Sequence, residues 1–284
     1  LNYGYYLNLY TYLNTYKFEL KPLIHYIGEV DCLLSLHTLI HSFNYKLPHY
    51  YLSKTPVLFM KEFHHPYLAD SKISIVNDIC VGLKNRPNNI VLTGPNAGGK
   101  STYIKGILLN IILAQTLGIT ASKYMMFTPF TYIDSYLNIV DSKGELSLFE
   151  SEMTKIKSCL ESIQDCSKKG QFSIIIIDEL CSGTNVIEGS IISYSISKYL
   201  GFIKTNIAIV TTHLEKLSEL EGDYNTYRNY KMDISIDKQS LDNNVIYTYK
   251  CRKGISNVFL AINILKKKNI SKKIISDIES YIEY

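Results

Sequence analysis

Hydrophobic and polar positions divide the 284-residue chain into stretches of different texture. Residues 1–20 carry Tyr3, Tyr5, Tyr6, Tyr10, Tyr12 and Tyr16 at spacings that match neither a clean helical stripe nor strict alternation, and a helix is the expectation there. Over residues 23–43 the period is helical, with Ile27, Val30, Leu34, His37, Leu39 and Ile40 able to share one broad face. Pro48 and Pro56 then turn the chain. After Pro66 short apolar runs alternate with glycine, asparagine and charged turns, the rhythm of strands alternating with helices. Residues 89–93, 173–177 and 206–211 are short and rich in β-branched side chains, which predicts buried parallel strands at the centre of a sheet. Residues 100–117 place Ile104, Ile107, Leu108, Ile111 and Ile112 at helical spacing, giving a helix after the first of those strands. Residues 230–236 and 245–251 read as two more strands, joined through Asp242, Asn243 and Asn244. Two short helices are expected at the end, over 256–268 and after a capping Ser271, with Ile274, Ile278, Tyr281 and Ile282 on one face. The pattern predicts an α/β fold with a mixed, largely parallel sheet, preceded by a helical segment and ending in short helices.

Between the strand at 89–93 and the helix that follows stand Gly94, Pro95, Asn96, Ala97, Gly98, Gly99, Lys100 and Ser101, which satisfy GxxxxGK[ST] in the context that motif requires. Glycines serve there because backbone N–H groups must approach phosphate oxygens closely, in conformations a side chain would obstruct. The following helix points its positive end at the same anion. Lys100 is expected to reach the β- and γ-phosphates of ATP, and the Ser101 hydroxyl to be a Mg2+ ligand. Ile174, Ile175, Ile176 and Ile177 run directly into Asp178 and Glu179, so two acids should emerge at the carboxyl edge of a buried strand, where ligands bind in such sheets. Asp178 would hold the metal through water, and Glu179 would polarise the attacking water as general base. Thr211, Thr212 and His213 close the next strand, where a histidine can sense the γ-phosphate or orient water. These features together define an expected P-loop NTPase of the ABC-like kind that hydrolyses ATP to ADP and phosphate. His37 and His41 stand four apart on a helix, but no carboxylate or cysteine cluster joins them, so packing or surface placement is expected rather than a metal site.

The string TGPNAGGKST, from Thr93 to Thr102, resembles the phosphate loop of the MutS family of DNA mismatch-repair ATPases, and further matches follow in that family's order. His65 and Pro66 look like its entry to the ATPase domain, and Asn77, Asp78 and Ile79 like its adenine-side strand. Ser147, Phe149, Glu152, Met153 and Thr154 resemble its signature segment. Asp178, Glu179, Gly183, Thr184 and Gly189 resemble its Walker B element and the loop after it, Thr212 and His213 its switch histidine, and Gly254, Ile255 and Ser256 the turn before its C-terminal helices. Ile27 to Ser35 look like the last helix of the core domain. The resemblance implies that Gly94, Pro95, Asn96, Ala97, Gly98, Gly99, Lys100, Ser101, Thr102 and Asn77 contact the nucleotide, and that two ATPase domains face each other. Ser147 would then meet, in trans, a γ-phosphate bound by the partner's Lys100. It further implies a homo- or heterodimer acting on mismatched duplex DNA, mainly through regions outside this chain. Leu148 stands where the family usually carries threonine, and Cys181 and Ser182 where it has glycine and a basic residue. No Phe-x-Glu wedge of the kind that reads mismatches occurs in these residues.

Composition narrows the alternatives. Hydrophobic residues make up 46% and charged residues 20%, ordinary values for a globular domain. The net charge of +4, from 30 basic and 26 acidic residues, is too small an excess to identify a nucleic-acid partner. Six cysteines lack any CxxC spacing and read as reduced thiols. No charged-then-apolar leader opens the chain, and the most apolar stretch, 107–119, is shorter than the roughly 18 residues of a membrane span and holds Asn110 and Gln115. An intracellular, soluble protein without membrane association is expected. Opening at Leu1 in a helical-looking segment, it reads as the C-terminal part of something longer. The expected organisation is a helical end of a core or lever domain over 1–60, the ATPase domain over 61–255, and a C-terminal helical pair over 256–284 as a dimer contact. No LSGG-like string is present, against transporter and chromosome-organising ATPases, and Arg86, Arg228 and Arg252 are not expected to cluster, against a small-molecule kinase with an arginine lid. A MutS-related or ABC-type ATPase of recombination or DNA-structure maintenance remains the alternative. Lys266, Lys267, Lys268, Lys272 and Lys273 are expected on a solvated helix face.

Overall fold

A computed structural model describes residues 3–68, 75–83, 86–137, 148–181, 184–237, 244–256, 271, 274–275, 277–278 and 280. The chain divides into two compact units, 1–45 and 46–284. The first contains helices α1 (Tyr3–Thr15) and α2 (Lys17–His41), and neither has a buried residue. A helix thus runs over most of 23–43, with Ile27, Val30 and Leu34 of its predicted face exposed and Leu39 and Ile40 half-buried. His37 and His41 share that helix with ring centroids 4.3 Å apart, and no group of three metal-binding side chains assembles among the described residues. By length and composition alone α2 would also cross a bilayer, a property the sequence reading gave to no segment. Glu29 and Asp31 stand at its middle, where a carboxylate costs about 2.5–3.5 kcal/mol in hydrocarbon, which weighs against that placement.

The second unit is mixed α/β. Its larger sheet runs β10-β9-β4-β8-β7-β6, from β4 (Asn89–Thr93), β6 (Tyr132–Tyr136), β7 (Ser173–Asp178), β8 (Asn206–Thr212), β9 (Tyr227–Asp237) and β10 (Asn244–Lys253). All neighbours are parallel except the β9–β10 hairpin. The four isoleucines of β7 explain why the central strands are so uniformly apolar. Ile174 and Ile176 face one hydrophobic cluster while Ile175 and Ile177 face the other, so both sides of the pleat are buried.

On the first face lies α3 (Lys100–Thr116), whose Ile104, Ile107 and Ile111 pack between the large sheet and a smaller one. That sheet has the order β1-β5-β2-β3, from β1 (His49–Tyr50), β2 (Leu58–Phe63), β3 (Asn77–Val81) and β5 (Tyr124–Phe127). Asn110, polar in the middle of α3, joins these layers. Its amide donates to the carbonyls of His64 and Gly106, and its oxygen accepts from the Ala121 N–H at 2.6 Å and the Thr120 hydroxyl at 2.8 Å. On the second face α4 (Leu148–Lys168) contributes Ile156, Cys159 and Ile163, and α5 (Val186–Phe202) contributes Leu200. α5 is capped by Asn185, whose side chain accepts from the Ile187 N–H. A short helix, α6 (Leu220–Tyr224), leads into β9.

At the C-terminal end, the Ser271 carbonyl accepts from the N–H groups of Ile274 and Ile275, which begins a helix where one is expected. The segment 257–270, Tyr281 and Ile282, the tail lysines and the connection at 242–243 lie outside the described residues, as do Ser147, Ser182 and Gly183.

Candidate functional site

The carboxyl ends of β4 and β7 meet at one cleft of about 440 Å3, lined by Pro95, Asn96, Ala97, Lys100, Ser101 and Asp178 among others. β4 ends at Thr93, and the loop over 94–99 turns the chain into α3. Ala97 and Gly99 have φ of +64° and +94°, and Gly98 N–H closes a turn onto the Pro95 carbonyl at 3.0 Å. A methyl at position 98 would lie 2.9 Å from that carbonyl oxygen. Only glycine fits there, and the turn leaves the amino end of the 17-residue α3 facing the cleft.

Lys100 is 5% exposed. Its ammonium donates to the Gly94 carbonyl at 2.8 Å and pairs with the Glu179 carboxylate at 3.1 Å. Ser101 donates to one oxygen of Asp178 at 2.8 Å, and the Thr211 hydroxyl donates to the other. The last residues of β7 and β8 are thus tied together, with Asp178 oriented by its neighbour strand. Glu179 takes φ of +54°, unusual for a residue with a side chain, and its N–H bonds to the Thr211 carbonyl. His213 Nδ1 lies 3.7 Å from Glu179 Oε2, with the imidazole more than half exposed. Lys100, Ser101, Asp178, Glu179 and His213, separated by up to 113 positions, therefore meet.

A second chamber of about 200 Å3 adjoins the first and shares Gly99, Thr102 and Tyr249 with it. Phe63, His65, Tyr103 and Met232 give it an apolar lining. Asn77 stands at its edge with both ends of its amide engaged, donating to the Tyr249 carbonyl at 3.0 Å and accepting from the Cys251 N–H at 2.8 Å. This clamp holds a bulge in β10, where register slips between Tyr247 and Cys251 and Tyr249 adopts φ of +54°. Asn77 thus shapes the wall that carries Tyr249, in addition to lining the chamber. Tyr249 lies so close to the loop that a Cβ on Gly99 would come within 3.0 Å of its ring. Burial pushes the Cys251 thiol up to about 12 and holds the Tyr103 phenol well above its usual range. Burial, aided by Lys105, also lowers His65, whose Nδ1 accepts from the Tyr67 N–H.

Tyr249, Phe63 and Met232 line these chambers although the sequence motifs did not single them out, and Thr211 bonds Asp178. The one available signal was the proximity of Tyr249 to the Gly254 turn. Ser147 cannot be added to this geometry, since it falls outside the described residues.

A family model for MutS domain V matches residues 90–283. The chain belongs to the MutS family of mismatch-repair proteins, in its C-terminal ATPase region. It is 29% identical over 266 residues to the DNA mismatch repair protein MSH3 of Saccharomyces cerevisiae (strain YJM789), covering 91% of this chain and 25% of that protein. MutS protein homolog 4 of Mus musculus is 31% identical over 235 residues, covering 81% of this chain and 23% of the relative. The MSH3 protein of Candida glabrata is 27% identical over 272 residues, covering 92% and 25%. The chain thus spans about a quarter of the length of the curated relatives it matches.

Proposed function

We propose that this chain is the P-loop ATPase module of a MutS-like protein, binding Mg2+-ATP in the paired chambers and acting as an ATP-switched dimer on mismatched DNA. The observation that carries the nucleotide assignment is the shared wall at Gly99, Thr102 and Tyr249. A polar cradle for phosphates opens directly into an apolar chamber for a base, which free phosphate would not need. The donor set also fits magnesium. One carboxylate oxygen of Asp178 and the Ser101 hydroxyl face the cleft together, and no cage of three or more acidic, histidine or cysteine ligands is assembled among the described residues. Magnesium bound through one carboxylate, phosphate oxygens and water has that requirement. When bound, the ion would neutralise charge on the β- and γ-phosphates.

The protein's own groups account for the remaining work. The loop N–H groups and the start of α3 hold phosphate oxygens. Lys100 exchanges the Gly94 carbonyl and Glu179 for phosphate, which releases the Glu179 carboxylate to accept a proton from the attacking water. His213, beside Glu179, would orient that water or respond to the γ-phosphate. Ser147, as the family resemblance implies, would complete the site from a partner subunit. A hydrogen bond available only with ATP present makes such an interface depend on the nucleotide.

Two measurements test this. Lys100→Ala should abolish ATP binding, and normal turnover would remove the phosphate-loop assignment. The full-length protein, compared on heteroduplex and perfectly paired DNA at stated salt, should bind the heteroduplex more tightly and answer it with altered ATPase activity. Equal affinity and equal ATPase response would favour a MutS-related ATPase of recombination or DNA-structure maintenance.

A further inference from the structure

Arg86 and Arg228, which the sequence places 142 positions apart with no sign of clustering, line one cleft together with Lys253. This is the one expectation about charge that the fold overturns. Its cause is topological: Arg86 comes from the loop after β3, Arg228 from the start of β9, and Lys253 from the end of β10. Lys253 pairs in register with Tyr230, and Arg228 precedes Tyr230 by two residues, so the three side chains leave the same face of the hairpin. Cys80 of β3 closes the cleft. Its volume, about 160 Å3, is far below the 440 Å3 of the phosphate cradle, and it shares no lining residue with either chamber of the nucleotide site.

Among the described residues, one carboxylate pairs with these three cations. Arg228 Nε lies 3.2 Å from Glu221, whereas neither Arg86 nor Lys253 forms an ion pair among the described residues. Neighbouring like charges repel, and an anion placed between them relieves that repulsion. Two groups inside the cleft register the positive field. Burial raises the Cys80 thiol, with Arg86 and Lys253 acting in the opposite sense, and burial raises the Tyr230 phenol, with Arg86 and Arg228 opposing. The guanidinium forks suit a phosphate group, which can accept two parallel N–H bonds from each.

We infer that the cleft between Arg86, Arg228 and Lys253 is a second phosphate site, separate from the ATP site and sized for a single phosphate or pyrophosphate group. The phosphate belongs either to a small free anion or to the backbone of nucleic acid, and one experiment distinguishes these sources. Inorganic pyrophosphate is titrated calorimetrically into the full-length protein saturated with a non-hydrolysable Mg-ATP analogue, and into the Arg86→Gln/Lys253→Gln double variant. Both substituted side chains are exposed, and thermal melting should verify that the variant folds. The expected result is saturable binding that weakens at least tenfold in the variant. Repeating the comparison in a Lys100→Ala background keeps the test valid if the ATP assignment itself fails. A second arm measures a perfectly paired duplex against salt. If nucleic acid supplies the phosphate, the variant lowers the slope of log affinity against log salt by about one to two. If a free anion is the ligand, that slope is unchanged while pyrophosphate binding still falls. Pyrophosphate binding equal in both proteins, or detectable in neither, overturns the inference.

Discussion

If the proposed nucleotide assignment holds, replacing Tyr249 by alanine should separate the apolar chamber, where the base would lie, from the polar cradle for the phosphates. The ring walls both, so its loss should be felt by the part of the ligand that stacks on it and not by the part held by backbone N–H groups. Stacking of a base on an aromatic side chain contributes about 1–3 kcal/mol. Tyr249 is 37% exposed, so only part of the ring is available as a dry surface, and the lower half of that range applies. A loss of about 1–2 kcal/mol corresponds to ATP binding weakened roughly 5- to 30-fold. Alanine retains a Cβ at φ of +54°, so the backbone strain at the bulge is the same before and after, and the change reports the ring alone. Tyr249→Phe should stay within about twofold of the parent, because the stacking face survives. Titration calorimetry with ATP and with inorganic tripolyphosphate provides the contrast. ATP affinity should fall while tripolyphosphate affinity holds. An equal fall for both ligands would mean that the ring acts by propping the loop at Gly99, and the assignment of the apolar chamber to the base would be wrong.

Other consequences are equally open to measurement. Glu179→Gln should bind ATP at least as well as the parent, since it removes a competitor for Lys100, yet slow hydrolysis by about 100-fold or more; a full-length variant that hydrolyses normally would exclude Glu179 as the base. The same variant should accumulate the ATP-bound dimer in light scattering, and an unchanged monomer would count against a composite site. Asn110→Ala leaves the buried Ala121 N–H without its acceptor, while the Thr120 hydroxyl can turn to Ser122, and should lower stability by about 1–3 kcal/mol in denaturant unfolding; a change below about 0.5 kcal/mol would show that water replaces the amide. His65, lowered chiefly by burial, takes up a proton more readily unfolded than folded. Stability is therefore full above the unfolded value, about pH 6.5, and declines as pH falls through it toward the folded value. His65→Asn should flatten the dependence of melting temperature on pH below about 6.5, and an identical slope would assign that dependence elsewhere.

The central strands and the glycine-rich loop over 94–99 were legible because their causes are local. β4, β7 and β8 are buried on both faces, so each is a continuous apolar run, and the loop glycines answer steric demands within a few residues. The smaller sheet left no such trace. β2 pairs with β5 some 66 positions later, from Leu58 to Phe127 at the outer limit 69, and Glu62 at φ of +49° interrupts its alternation. The period over 23–43 was visible, but it did not show that Ile27, Val30 and Leu34 would stand exposed while Leu39 and Ile40 are half-buried. Tyr249 escaped notice because a bulge, rather than residue type, aims it at the site. Arg86, Arg228 and Lys253 escaped for the same kind of reason, since three separate segments bring them together.

The pairing of Lys100 with Glu179 has a further consequence for which ligands can enter. Any anion must displace a carboxylate that the fold holds 3.1 Å from the ammonium, at an effective concentration far above that of a dissolved solute. A lone orthophosphate offers only one group to compete with this internal rival. On the proposed reading, a triphosphate would meet the loop amides and the lysine at once, and would bring its base to a separate chamber. On that reading the cleft would therefore act as a threshold, discounting small anions and yielding to a ligand that binds through several contacts together.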